Sequence, residues 1–429
     1  MNIVHYSFGI PPLRRGGLTK YFIDLAIEQS LSNHVLLIVP DSSKNKKGII
    51  FEKKYFGIDV FKIYDSNPCP LVWGIKEPLF FMKKSNVDQF IDFFKKNRIE
   101  VLHVHTLQGA LVEMFEAANM LNIRIVYTTH DYFGLCPKSN LWCDNNVCKN
   151  INLCAKCNKD AISWKKLKFT EKKYYPMLKR IVKKFKFKNK KSIHDDSTMS
   201  FNNENYNLLR NYYYKMLKYV DVFHFNSYIA QDVYKKFLPE IKGKVISISN
   251  KSINDKRSPI HINDVIKIGY LGPINEAKGF FDLKEVLDEL YFKIKNFELH
   301  VFENINNITP YIKINKAYTY KNKDEVFRKL DLIVVPSKWH ETFSFICQEA
   351  LAYGIPVLIS ENVGAKMIVN SIDSSMVFSS IAELKDKLYK ILCDHNILEQ
   401  QSAQICDVPF DKICPDILEV NQLYGGNYE

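Results

Sequence analysis

Residues 331–364, DLIVVPSKWHETFSFICQEALAYGIPVLISENVG, constrain the fold of this chain more than any other stretch. Residues 331–336 are an apolar, β-branched run, and residues 355–360 are a second. Between them, residues 342–353 place Phe345, Ala350 and Leu351 at helical spacing, with Gly354 where a helix C-cap belongs. The order is strand, loop, helix, strand. Two acids, Glu341 and Glu349, stand eight positions apart. If the chain between them is helical throughout, the rise is about 12 Å.

The same alternation runs along the rest of the chain. Strands are expected at 3–7, 34–39, 101–105 and 124–129, and helices follow Gly16-Gly17 and cover 90–96 and 111–121. Residues 137–203 break the rhythm with a cysteine cluster, a basic stretch and a polar tract. A helix over 206–219 and strands at 222–226 and 244–249 restore it. Polar residues 250–264 read as a linker. The pattern then restarts with a strand at 266–271, a loop at 272–279 and a helix at 280–291. A strand at 298–303 and helices at 324–329 and 383–394 follow. Repeated βα units imply parallel sheets covered by helices on both faces, with ligands beyond the carboxyl ends of the strands. Gly16, His105 and His130 sit at such ends. Of His103 and His105, only one is expected to point toward the cleft.

The frame Pro336, Ser337, Glu341, Phe343, Glu349, Ala350, Ala352, Gly354, Pro356, Val357 resembles the family 4 retaining glycosyltransferases, whose mark is Glu-x7-Glu. One departure is Ser344, where the family most often has glycine. The resemblance implies an α/β chain of the GT-B fold, two Rossmann-like domains facing across a cleft. It implies a first domain over 1–250 with an insertion at about 137–205, a linker at 251–264, a second domain over 265–408, and a helical tail at 409–429 crossing back to the first. It also implies transfer of a hexose from a nucleotide-sugar donor with retention. The spacing of the two acids suits one at each end of such a donor, with the helix start aimed at the diphosphate.

Carried over residue by residue, Glu349 is expected to accept hydrogen bonds from the ribose, and Glu341 to contact the transferred hexose. Lys278, in Gly272–Gly279, matches the lysine that neutralises the departing diphosphate. The amides of Phe343, Ser344 and Phe345 are expected to help it. Gly16 and Gly17 match the loop against donor phosphate and acceptor, and His130 matches a histidine facing the donor sugar. Pro273 stands where the family usually has arginine, so Lys338 or the Arg14-Arg15 pair is expected to compensate. The chain contains no Asp-x-Asp, which suits catalysis without a metal cofactor.

Cys143, Cys148, Cys154 and Cys157 follow the segment HDYFGLCPKSNL and resemble a cysteine-bearing subgroup of these transferases. Four thiolates suit a structural zinc; idle thiols are the other reading. The first residues show neither a secretory nor a transit pattern, which with ten cysteines suggests reduced thiols and a cytoplasmic setting. The net charge of +13 is local, since residues 164–191 hold thirteen Lys/Arg against the single acid Glu171. Leu167, Tyr174, Leu178, Ile181 and Phe185 form one helical stripe in that stretch. An anionic membrane surface is therefore an expected partner, peripheral on the cytoplasmic face, with a glycan or lipid-linked acceptor. Specific nucleic-acid binding is not expected: a basic stretch alone gives salt-sensitive affinity and leaves the Glu-x7-Glu frame unexplained. A nucleotide-sugar epimerase on the same fold is the alternative, and it would convert donor without an acceptor.

Overall fold

The structure, a computed structural model, describes residues 1–148, 151–171, 202–262, 264–305 and 309–425. The first half is built on β1 (Asn2–Tyr6), β2 (His34–Asp41), β3 (Ile49–Tyr55), β4 (Ile58–Tyr64), β5 (Val101–Val104) and β6 (Arg124–Thr128). A small hairpin of β7 (Trp142–Cys143) and β8 (Asn146–Val147) follows, then β9 (Val222–Phe225) and β10 (Gly243–Val245). The main sheet runs β10-β9-β6-β5-β1-β2-β4-β3, and every pairing is parallel except β3 with β4. The second half contributes β11 (Ile266–Tyr270), β12 (Phe297–Val301), β13 (Ile312–Ile314), β14 (Leu332–Val335), β15 (Val357–Ser360) and β16 (Val377–Phe378). They form a wholly parallel sheet in the order β13-β12-β11-β14-β15-β16.

Long apolar runs explain why the central strands are found where the sequence puts them. β1, β5, β6, β9 and β15 are buried on both faces, so they carry no polar alternation. The β3–β4 hairpin was not expected. β3 lies at the sheet edge with Phe51, Glu52, Lys53 and Lys54 exposed, so it lacks the hydrophobic pattern that marks a strand.

The helix in the signature segment is shorter than its spacing suggests. It covers Phe345–Leu351, so Glu341 lies before it rather than on it. The backbone of Glu341 is held in a bridge to Val363: its N–H donates to Asn362 O at 2.9 Å, and its carbonyl accepts from Gly364 N at 2.9 Å. Those bonds are incompatible with helix, and the expected 12 Å helical rise does not apply across 341–349.

The two halves share apolar packing. One cluster joins Tyr21, Phe22, Ile246 and Ile248 of the first half with Phe343, Cys347 and Ala350 of the second. The C-terminal segment ends on the first sheet. Gln29 Nε2 donates to Asn421 Oδ1 at 2.6 Å and to Tyr424 OH at 2.8 Å, and Arg124 Nε donates to Leu423 O at 3.3 Å.

Candidate functional site between the two sheets

β14 delivers the chain to Pro336, and the loop that follows folds back over the loop after β11. Gly279 makes that contact. Its φ is +70°, and a Cβ there would lie 1.8 Å from Pro336 O, so only glycine fits. The close approach sets Lys278 beside Glu341: Nζ is 2.7 Å from Oε1. Ser337 Oγ donates to the same oxygen. Glu341 is only 5% exposed. Lys278 also lies over the Trp339 ring, 5.2 Å from its centroid.

Glu349 sits inside the Phe345–Leu351 helix and is 2% exposed. Tyr318 OH donates to its Oε2 at 2.7 Å, while its Oε1 is buried without a partner among the described residues. Burial raises the Glu349 carboxyl, and the Tyr318 hydrogen bond and the Lys323 charge pull it back. Lys323 is itself lowered by burial. Tyr318 and Lys323 were not expected at the site. They flank a loop after the short strand β13, and nothing periodic in the sequence points to them.

The first half meets this centre directly. Gly17 opens the Gly17–Ser30 helix and packs on Phe345; a Cβ on Gly17 would meet that ring at 2.9 Å. Gly16 precedes it at φ +134° with open space around its Cα. Thr342 Oγ1 donates to His130 O at 2.8 Å, which brings Thr342, next to Glu341, against the end of β6. Phe343 packs edge-on against Phe345, and Ser344 is the residue before the helix. The expected constellation of Gly17, His130, Lys278, Glu341 and Phe343 to Phe345 is therefore gathered at one junction, with Glu349 about one turn further along the helix.

Lys338 and Arg14, two of the cations expected to compensate for Pro273, are each engaged by an acid. Lys338 Nζ is 3.0 Å from Asp282 and 3.9 Å from Glu276, and Arg14 is 3.3 Å from Glu171. Each is neutralised by a local acid. His103 and His105 do not divide between cleft and core. Residues two apart on a strand share a face, and the two rings stack with centroids 4.2 Å apart, both fully buried.

The cysteines gather on the β7–β8 hairpin and the Cys154–Cys157 turn of helix. Burial pushes the Cys143 thiol up to about 12, helped by its hydrogen bond with Cys157. Cys154 is likewise raised to about 12 by burial, against the pull of Arg210, whose Nη2 donates to its sulfur at 3.3 Å. The donor set suits zinc, but the sulfurs are not drawn together as a ligand shell. Among the described residues, the set of three ligating side chains with donor atoms all within 4.8 Å of one another is His5, His103 and His105.

The expected membrane stripe loses one member. Leu167, in the Trp164–Thr170 helix, is 1% exposed and packs in the first-half core. Glu171 locks the end of that helix down: its carboxylate accepts from Ser42 Oγ at 2.6 Å and from Cys69 N at 2.7 Å. Tyr174, Leu178, Ile181 and Phe185 lie outside the described residues. No helix among the described residues is long and apolar enough to cross a membrane.

Comparison with solved structures shows the same two-sheet arrangement. HepE of Anabaena in complex with UDP-glucose superposes with a TM-score of 0.58 at 13% identity, covering 99% of this chain and 98% of that one. The fold is GT-B. Sucrose-phosphate synthase from Thermosynechococcus elongatus gives a TM-score of 0.56 at 12% identity over 99% and 98% of the two chains. A glycosyltransferase from Rickettsia africae gives 0.55 at 14% identity over 99% and 97%. Residues 252–405 of this GT-B chain match the family described as Glycosyl transferases group 1. No curated protein matches the sequence.

Proposed function

We propose that this chain is a retaining, family 4 glycosyltransferase that moves a hexose-type sugar from a nucleotide-sugar donor to a glycan or lipid-linked acceptor, in assembly of a bacterial surface polysaccharide. The observation that carries the reading is Glu349. A buried carboxylate oxygen without a partner costs free energy, and a ligand hydroxyl donating to it removes that cost. A ribose supplies such hydroxyls. Glu341, paired with Lys278, contacts the hexose, and Lys278 turns to the diphosphate as negative charge develops on the leaving group. The amides of Phe343, Ser344 and Phe345 assist. Gly16, Gly17 and His130 border the donor sugar and the acceptor. HepE in complex with UDP-glucose makes a UDP-sugar the first donor to try.

Catalysis is proposed to need no metal, since Lys278 takes the place a divalent ion would fill. For Cys143, Cys148, Cys154 and Cys157 we propose a structural zinc, with the thiols drawn in on binding. The basic stretch is proposed to meet an anionic membrane, where a lipid-linked acceptor resides. Leu79 and Phe80 are exposed at 56% and 50%, and Phe80 stacks on Trp164 at the start of that stretch.

The test is a thermal-shift screen of nucleotide sugars in EDTA. A donor at 100 times its Kd adds about 2.7 kcal/mol to stability. The true donor should raise the midpoint with EDTA present. Stabilisation by no nucleotide sugar, or only with added Mg²⁺ or Mn²⁺, overturns the corresponding part of the reading.

A further inference from the structure

Five histidines share one face of the first sheet. His5 on β1 pairs in register with His103 on β5, and His224 on β9 pairs with Thr128 on β6. His105 follows two residues beyond His103, on the same side, and His130, past the end of β6, stacks on His105 with ring centroids 5.5 Å apart. His5, His103 and His105 approach one another as metal ligands do, yet each of their ring nitrogens already has a hydrogen-bond partner. His5 Nδ1 lies 3.0 Å from His105 Nε2, and His5 Nε2 lies 2.7 Å from Gln29 Oε1. His103 Nδ1 is 2.7 Å from Tyr424 OH, and its Nε2 is 2.7 Å from Thr128 Oγ1. His105 Nδ1 is 3.3 Å from His130 Nε2. Burial lowers all five rings well below the usual imidazole range, so each is neutral, with one N–H and one bare nitrogen.

The direction of every bond then follows from one end. His224 Nε2 lies 2.8 Å from Ile246 O, a carbonyl that can only accept, so His224 carries its proton on Nε2. Its Nδ1 is bare, and Thr128 Oγ1 donates to it at 2.9 Å. Thr128 has one hydrogen, so it must accept from His103, whose proton is on Nε2. His103 Nδ1 is bare, so Tyr424 OH donates to it. Tyr424 therefore accepts from Gln29, and the amide NH2 of Gln29 faces Tyr424 at 2.8 Å. The Gln29 carbonyl is left for His5, which donates from Nε2. His5 Nδ1 accepts from His105 Nε2, and His105 Nδ1 accepts from His130 Nε2.

We infer that this chain, oriented at the Ile246 carbonyl, presents His130 to the interdomain site as a hydrogen-bond acceptor through Nδ1, and that Thr128, Tyr424 and Gln29 are positioning residues for it. Tyr424 comes from the C-terminal segment, so that segment takes part in setting the chemistry of a histidine nearly 300 residues before it. The ligand group at His130 must then be a donor. A hydroxyl or amide N–H is accepted there, whereas a carboxylate or keto oxygen faces a lone pair. What that ligand is rests on the transferase reading; the direction of the chain does not.

Nitrogen-15 labelling of the histidine rings in the full chain, read by long-range proton–nitrogen correlation without ligand, tests the inference. In the wild type all five rings should carry the proton on Nε2. Tyr424→Phe removes one oxygen and lets the Gln29 amide turn over together with Asn421. The nitrogens of His5, His105 and His130 should then shift to intermediate values, while His103 and His224 stay fixed. Thr128→Val breaks the chain earlier, so His103 should join the shifted group and only His224 should hold. A wild-type His130 protonated on Nδ1, or a His130 unchanged in both variants, overturns the inference. Either result leaves the donor screen untouched, and a failed donor screen leaves the chain of tautomers standing.

Discussion

Glu349 and Glu341 make different demands on a ligand, and their substitutions should separate. Glu349→Ala removes a charged acceptor from ribose and should weaken donor binding by roughly 1.5–3 kcal/mol, read by calorimetry. Glu341→Ala frees Lys278 from its partner at 2.7 Å and should mainly lower turnover at saturating donor. Wild-type kinetics in both variants with the true donor would end the assignment. Both acids were legible in the sequence because a dense frame fixes their spacing. Tyr318, Gln29 and Tyr424 were not, because their partners are brought together only by folding; Tyr424 OH and His103 are 321 residues apart. The buried histidines also set a pH limit. His5 and His224 are lowered to about 4 by burial, and His103, His105 and His130 lie well below 6.5. An unfolded chain takes up protons near pH 6.5 and the folded chain does not, so stability is full above that pH and lost as pH falls through it. Each ring costs up to about 1.4 kcal/mol per pH unit. Asp131, pushed up to about 6 by burial, acts the other way with a single proton. The thermal midpoint should be flat above pH 7 and fall steeply between pH 6.5 and 5; a flat profile across that range contradicts the neutral cluster.

Elements were legible where they are buried on both faces or strongly amphipathic, as with the Phe280–Tyr291 helix, whose ends fall where the spacing puts them. They were missed where tertiary contacts outweigh local pattern. The exposed β3 edge, the three-residue β13 and the seven-residue Lys366–Ile372 helix are too short, or too irregular in their apolar spacing, to show a period. The loop before Phe280 depends on a single residue. Gly279→Ala forces an L side chain into φ +70° against Pro336 O. The strain alone costs roughly 1–2 kcal/mol, and the clash adds to it. The variant should lose at least about 2 kcal/mol in urea titration and show weakened donor binding, since Lys278 moves with the loop. Unchanged stability would mean that the two loops do not touch. The zinc proposed at the β7–β8 hairpin is tested by metal analysis. Protein purified without chelator should hold about one zinc per chain, and Cys143→Ser with Cys157→Ser should release it. A clean absence of zinc leaves four thiols, two of them raised to about 12 by burial.

At the scale of the whole molecule, two sheets, parallel but for the β3–β4 pair, close on one junction, and the alternation that builds their central strands was read from the sequence in both halves. What the sequence did not resolve is how the basic stretch begins. Its first turns belong to the first domain: Leu167 is core, and Glu171 is tied to Ser42, Cys69 and Arg14. This anchoring strengthens the membrane proposal in one respect. It fixes Glu171, the residue before that stretch, on the half that is proposed to receive the acceptor and that also exposes Leu79 and Phe80. In that stretch Tyr174, Leu178, Ile181 and Phe185 recur at helical spacing among lysines, the pattern of a helix that lies in a membrane interface. Each Lys/Arg near an anionic surface contributes about 1 kcal/mol, screened over a Debye length of about 10 Å at 0.1 M salt. Sedimentation with liposomes decides it. Binding should rise with the fraction of anionic lipid, fall as salt is added, and drop sharply when Lys179, Arg180, Lys183 and Lys184 are changed to Gln. Trp164→Ala should weaken binding less, by removing the stacked partner of Phe80 and not the charge. Equal partitioning to neutral and anionic vesicles, or binding to neither, removes the membrane from the proposal. The paired acids and their lysine would remain as they are.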